Sequence, residues 1–295
     1  MLVTGASGFI GGAIARRLAK AGADVHGTGL SRRAPPEVTH HTARLPEDAS
    51  ALIQEIQPVL LLHLACPISM SSDSGARTAL KPGIVDATEA VAQAAAQAQV
   101  PLIHVSSCAV YEGAEAPFRE GQALHPTSPY ADLKRQAESK VLTMANQGLR
   151  FSIVRPFRTY GPGCTSGLVA EACQAAVSGE RLALTDGQQV REWNHVDSIC
   201  DGILSISQRD PAGEIWNVGG GDRLSVLALA QRIFTLAGRS LDGIEAGARP
   251  RRPGEVARFW GDHRHADTRW GPLAHQTLEA GLMQTLQWHR GRLAS

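Results

Sequence analysis

The stretch "SPYADLK" sets Tyr130 four residues ahead of Lys134. On a helix that spacing puts both side chains on one face. A phenol with an ordinary pKa of about 10 is a poor acid–base catalyst at neutral pH. An ammonium beside it favours the phenolate and lowers that pKa, and the same lysine can hold a ribose hydroxyl. Upstream, "VSSCAVY" places Ser106 and Ser107 behind an apolar run, at the kind of strand end where parallel sheets collect functional groups. A hydroxyl there can hold a carbonyl or alcohol oxygen beside the tyrosine. A Y-x-x-x-K pair recurs on ordinary helix surfaces, so its meaning depends on its surroundings.

The chain opens "MLVTGASGFIGG", with Gly5, Gly8 and Gly11 spaced by Ala6–Ser7 and Phe9–Ile10. Such a turn either lets backbone N–H groups approach a pyrophosphate at a helix N-terminus or is an ordinary glycine-rich turn. Its place between an apolar run and the amphipathic "GGAIARRLAKAG" favours the cradle; Arg16, Arg17 and Lys20 read as a solvated face. A second run ends in "VHGTGLSRR", with no carboxylate between Val25 and Pro35. Enzymes that use NAD usually place an acidic residue there for the ribose 2′-hydroxyl. Ser31, Arg32 and Arg33 suit a 2′-phosphate instead, or form a solvated basic loop. The expected cofactor is NADP(H) ahead of NAD(H).

The elements that must position these residues follow from the patterning. Short Val/Ile/Leu runs alternate with helical stretches at 11–21, 48–57, 83–98 and 129–147, which predicts an α/β fold with a doubly wound parallel sheet. From about residue 158 Gly and Pro cluster, and a smaller C-terminal substrate-binding lobe is expected. It would carry helices near 167–178, 224–237 and 274–290 and strands at 181–185 and 214–218. The expected division is 1–157, with 195–210 returning to it, against 158–295. The 295 residues carry 29 Lys and Arg against 28 Asp and Glu, so no bulk field favours nucleic acid. No apolar run is long enough to cross a bilayer, and no metal-ligand spacing is present. The five cysteines form no C-x-x-C pair and read as reduced thiols, so a cytoplasmic protein is expected.

Taken together, "TGASGFIG", "HLA" at 63–65, "VSSCAVY" and "YADLK" resemble the extended short-chain dehydrogenase/reductases, nearest to their sugar-nucleotide epimerases, dehydratases and ketoreductases. The likeness continues through "RPFRTYGPG", "REWNHVDSICDGI", "WNVGGG" and "RRPGEVARFWGD". It implies Ser107, Tyr130 and Lys134 as the catalytic triad. For the cofactor it implies the Gly5–Gly11 turn, Arg44, Leu45, Leu64, Ala65 and Pro156, with Tyr130 and Lys134. For the substrate it implies Ser69, Ser107, Cys108, Arg158, Arg191 and Arg252, the last pair of arginines gripping a nucleotide-sugar diphosphate. Otherwise Arg191 pairs with Glu192 or Asp197, and Arg252 belongs to a surface run with Arg249 and Arg251. A homodimer through a helix pair that includes 129–147 is a further implication.

Departures from the pattern refine this. Arg158 stands where the family usually has Asn, Gly83 and Ile84 stand near another missing Asn, and Arg44 replaces an adenine-reading Asp, making the adenosine end more basic. Cys108 and Ala109 follow Ser107 where the 4,6-dehydratases resemble T-D-E, which argues against an elimination. The expected activity is NADPH-dependent reduction of a nucleotide-linked 4-keto-6-deoxysugar. The alternatives are an NAD-dependent sugar-nucleotide epimerase, a small-carbonyl reductase and an NADP sensor without turnover.

Overall fold

The structure is a computed structural model that describes residues 1–30, 34–67, 74–209, 211, 213–251, 254–273 and 276–293. In chain order the elements are β1 (Leu2–Thr4), α1 (Phe9–Lys20), β2 (His26–Gly29), β3 (Thr39–Thr42), α2 (Ala49–Ile56), β4 (Leu61–His63), α3 (Ser74–Lys81), a π-helical turn (Pro82–Asp86), α4 (Ala87–Gln97), β5 (Leu102–Val105), a 3-10 turn (Cys108–Tyr111), α5 (Pro129–Ala145) and β6 (Phe151–Pro156). There follow β7 (Thr159–Tyr160), α6 (Leu168–Ser178), β8 (Leu182–Ala183), β9 (Val190–His195), α7 (Val196–Ser207), β10 (Glu214–Val218), β11 (Asp222–Ser225), α8 (Val226–Leu236), β12 (Ile244–Glu245), β13 (Arg258–Phe259), α9 (Arg264–Trp270) and α10 (Leu278–Leu293).

The chain divides into two compact units. The first comprises Met1–Gly113, Glu120–Pro156 and Cys200–Val218; the second comprises Ala114–Arg119, Phe157–Ile199 and Gly219–Ser295. The first holds a seven-stranded sheet in the order β10-β6-β5-β4-β1-β2-β3, parallel throughout. Helices flank it, as a doubly wound fold requires. Strands β1, β4, β5 and β6 are buried along their whole length, because a parallel sheet covered on both faces has no wet side to alternate toward. Leu2, Leu61, Leu102 and Ile153 pack against Leu52 and Ile53 of α2, Val91, Ala92 and Ala95 of α4, and Val141 of α5. Each fully buried Leu, Ile or Val among them contributes about 1.5–3 kcal/mol. Arg17 of α1 forms an ion pair with Asp201 of α7.

The second unit holds a four-stranded sheet in which β9 pairs with β7, β11 and β13, and a two-stranded β8–β12 pair. Its core joins Tyr160, Trp193, Leu229, Ile233, Phe234, Leu282 and Leu286. Two expectations need correction. The single helix at 83–98 is α4 alone, preceded by α3 and by the π-helical turn. Pro82 has no N–H to give, and a Cβ at Gly83 would stand 2.7 Å from Pro67 Cγ. Of the two strands expected in the C-terminal lobe, the one read at 181–185 shortens to Leu182–Ala183, and the one at 214–218 is β10, which pairs with β6 in the large sheet instead; β9 and α7 lie between them.

Candidate active site

All seven strands of the large sheet run the same way, so the segments leaving their C-terminal ends gather along one edge. The chain goes from β1 to β2 and β3 on one side, then back past β1 to β4, β5 and β6 on the other. The glycine turn leaves β1 at that reversal, where open α/β sheets bind their ligands. Gly5 has a φ of +73°, and a Cβ there would stand 2.8 Å from the Ala65 backbone. A Cβ at Gly11 would collide with the Gly5 carbonyl oxygen. The Gly8 N–H donates to that same oxygen at 2.9 Å, and Gly8 stands as N-cap of α1, so the first helical N–H groups open onto the turn. The turn is thus packed too closely on its own backbone for a Cβ at Gly5 or Gly11, and its open helical N–H groups have the chemistry to take a dinucleotide pyrophosphate. Ser7, Phe9 and Ile10 complete the turn, half-buried. Leu64 and Ala65 are fixed beside it by backbone N–H bonds to Thr4 Oγ1, each 3.2 Å. Pro156 closes β6, buried; Arg44 lies exposed just beyond β3 and Leu45 follows it, half-buried. Ser31, Arg32 and Arg33 lie outside the described residues.

At the ends of β5 and β4 a second group gathers. Ser107 caps the 3-10 turn, its Oγ accepting the Ala109 N–H at 3.1 Å. Ser128 caps α5 in the same way through Ala131 N–H at 3.2 Å, with Pro129 in the first turn. That helix start presents Tyr130, which packs with Cys66 against one apolar cluster and lies near enough to the Ser107 side chain for that hydroxyl to act on its phenol. Lys134, one turn on, is buried and donates to the Val105 carbonyl at 2.9 Å. Burial holds the Tyr130 phenol well above its ordinary pKa, with the Cys66 thiol pushing the same way and the Ser107 hydrogen bond opposing. The expected lowering by Lys134 is therefore corrected: the ammonium is engaged with a carbonyl, and desolvation dominates. The phenol stays protonated at neutral pH.

In the second unit Arg191 is 2% exposed. Its guanidinium pairs with Glu255 at 2.9 Å and donates to the Val190 carbonyl at 2.9 Å. Burial first, and then the charge of Arg158, lower its pKa to about 10, while Glu255 opposes them. The partner is thus Glu255 rather than Glu192 or Asp197. Glu192 is taken up by His263 at 2.9 Å and by the Gly220 and Gly261 N–H groups. Arg158 is exposed and Cys108 buried; Ser69 and Arg252 lie outside the described residues. A cavity of about 470 Å³ in this unit, lined by Arg223, Trp260, Asp262 and His263, includes none of the predicted residues. Among the described residues no group of three or more His, Cys, Asp or Glu could hold a metal ion, and no helix is long and apolar enough to cross a membrane.

Sequence reading missed Cys66, Glu138, Arg155 and Glu255. For two of them a signal existed. Glu138 continues the stripe of Tyr130 and Lys134 at the same four-residue spacing, and Arg155 is a lone charge inside the apolar "FSIVRPF".

Comparison with known proteins decides the lineage. The model of the NAD dependent epimerase/dehydratase family matches residues 1–219. The chain belongs to the NAD-dependent epimerase/dehydratase family. It is an enzyme of the extended short-chain dehydrogenase/reductase type. Among its epimerase/dehydratase relatives, a UDP-N-acetyl-alpha-D-glucosaminuronate decarboxylase of Bacillus cytotoxicus is 27% identical, over 98% of this chain and 97% of the relative. A UDP-glucose 4-epimerase of Mycolicibacterium smegmatis is 28% identical, over 99% and 98%. The crystal structure of a dTDP-glucose 4,6-dehydratase from Streptomyces venezuelae, solved with NAD bound, superposes with a TM-score of 0.89 at 25% identity, covering 99% of this chain and 97% of that one.

Proposed function

We propose that this family member reduces the keto group of a nucleotide-linked 4-keto-6-deoxysugar with NADPH. The feature that carries the reading is Tyr130 beside Ser107 at the head of α5, its phenol held in the neutral form by burial. A net reduction needs a proton donor at the carbonyl oxygen, and a phenol kept neutral by burial is one. A bound nicotinamide supplies the hydride. Tyr130 gives its proton to the developing alkoxide, Ser107 polarises the oxygen, and Lys134 holds the ribose. Cys108 and Ala109 follow Ser107 and offer no carboxylate pair for eliminating water. The absence of a carboxylate between Val25 and Pro35, and Arg44 exposed beyond β3, support NADPH over NADH. Arg158 is exposed and its guanidinium suits a substrate diphosphate, whereas Arg191 is buried against Glu255.

The test is spectrophotometric: oxidation of NADPH and of NADH against a panel of nucleotide 4-ketosugars, with product stereochemistry read by NMR. NADPH should be consumed faster, and Tyr130→Phe should slow turnover by about 10²–10⁴-fold. Faster use of NADH would overturn the cofactor half. The second reading, an NAD-dependent sugar-nucleotide epimerase, is favoured by the full-length likeness to the M. smegmatis 4-epimerase and by NAD in the Streptomyces structure. Protein isolated with stoichiometric NAD that interconverts sugars without added cofactor would establish it instead.

A further inference from the structure

Directly beneath the site lies a buried polar network that no step of the proposed reaction uses. Glu138 and Arg155 are each 2% exposed. The carboxylate takes the guanidinium in a bidentate grip, Nε to Oε1 at 2.9 Å and Nη2 to Oε2 at 2.6 Å. Oε1 also accepts the Ser106 hydroxyl at 2.5 Å. The remaining nitrogen, Nη1, donates to the Tyr111 hydroxyl at 2.6 Å and to the Glu120 carbonyl at 3.1 Å. Tyr111 in turn donates to Asn217 Oδ1 at 2.9 Å.

The placement of these partners gives the network a purpose. Glu138 sits on α5, one turn past Lys134 and two past Tyr130, on the same stripe. Ser106 precedes Ser107, and Tyr111 ends the 3-10 turn that Ser107 caps. One ion pair therefore grips the segment that carries Ser107 from both sides, and its carboxylate belongs to the helix that carries Tyr130 and Lys134. A buried ion pair of this kind brings little net stability, because desolvation offsets the attraction. Its rigid, bidentate geometry brings register.

We propose that Glu138 and Arg155, acting through Ser106 and Tyr111, are positioning residues that hold the Ser107 hydroxyl in register with the Tyr130 phenol. The proposal rests on reading Ser107, Tyr130 and Lys134 as the reactive group, so its test includes a readout that needs no turnover. The chain has three tyrosines, and labelling their ring Cζ with ¹³C gives three resonances, assigned by Tyr→Phe substitution. Tyr160, in the second unit, is the internal reference. Ser106→Ala removes one hydrogen bond and leaves the ion pair intact, so it spares the fold; Glu138→Gln and Arg155→Lys are stronger variants that risk leaving a buried charge unpaired.

In Ser106→Ala the Tyr130 resonance should move by more than its linewidth while that of Tyr160 stays. The kcat per folded molecule should fall about ten- to hundredfold with KM little changed, and Ser106→Thr should restore both. Ser225→Ala, which removes the cap of α8 in the second unit, should lower the melting temperature without moving Tyr130. A folded Ser106→Ala protein with an unmoved Tyr130 resonance and wild-type kcat would overturn the proposal while leaving the reactive group standing. A moved Tyr130 resonance in a protein whose turnover does not depend on Tyr130 would uphold the positioning and sink the reaction.

Discussion

Gly11 has room for a hydrogen and nothing more, because a Cβ would strike the Gly5 carbonyl oxygen. Forcing a methyl group into such a site costs about 1–3 kcal/mol. If the turn cradles a pyrophosphate, Gly11→Ala should weaken NADPH binding by about five- to a hundredfold, read by cofactor fluorescence titration, with the circular dichroism of the helices preserved. Cys66 makes a second residue-scale prediction. It is half-buried while Cys108, Cys164, Cys173 and Cys200 are buried, and burial pushes the Cys173 thiol up to about 12 and raises that of Cys164. Iodoacetamide should therefore label one thiol in the native protein, at Cys66, as mapped by peptide mass spectrometry. Because that residue packs with Tyr130 against one apolar cluster, labelling should abolish turnover, and Cys66→Ala should be resistant.

At the scale of elements, α5 is the part on which the site depends. Its start is legible in "TSPYADLK": a serine whose Oγ caps the helix and a proline already set for the first turn. Ser128→Ala should cost about 1 kcal/mol, lowering the melting temperature by about 2 °C. The kcat should fall more than stability implies, since Tyr130 lies in the freed turn. The apolar runs that became β4, β5 and β6 were equally plain, because strands buried on both faces are built mostly of Val, Ile, Leu and Phe, with His63, His104, Ser152 and Arg155 as buried polar exceptions. The segment before α4 was not. Periodicity extends a helix through 83–98, whereas the proline without an N–H and the glycine against Pro67 impose the π-helical turn. That contact joins residues distant in sequence and leaves no local trace.

At the scale of the molecule, two buried histidines make stability depend on pH. His63 lies between Thr4 and Thr88, at 2.7 and 3.1 Å, and burial first, then the nearby Lys134 charge, lowers its pKa to about 3. His104 is held well below its ordinary value by burial, Lys134 and His63. Both pKa values are depressed by folding, so the unfolded chain binds more protons below about pH 6.5. The native state is then fully stable above that pH and loses stability as pH falls toward about 3. Urea unfolding should show a loss of about 3 kcal/mol between pH 7.5 and 5.5, and His104→Phe should remove about half of that dependence.

The sequence by itself determined the doubly wound class, the glycine turn, and the nomination of Ser107, Tyr130 and Lys134, because each is written in local spacing: a glycine at every third position from Gly5 to Gly11, and a lysine four positions after the tyrosine. Only the tertiary structure decided what those groups meet. Lys134 turns to a carbonyl, Tyr130 finds Cys66, Arg191 is claimed by Glu255, and Glu138 is tied to Arg155. Each of these pairings, Lys134 with Val105 included, depends on which strand lies beside which, and on what burial does to a charge. Neither is set by the spacing of residues along the chain.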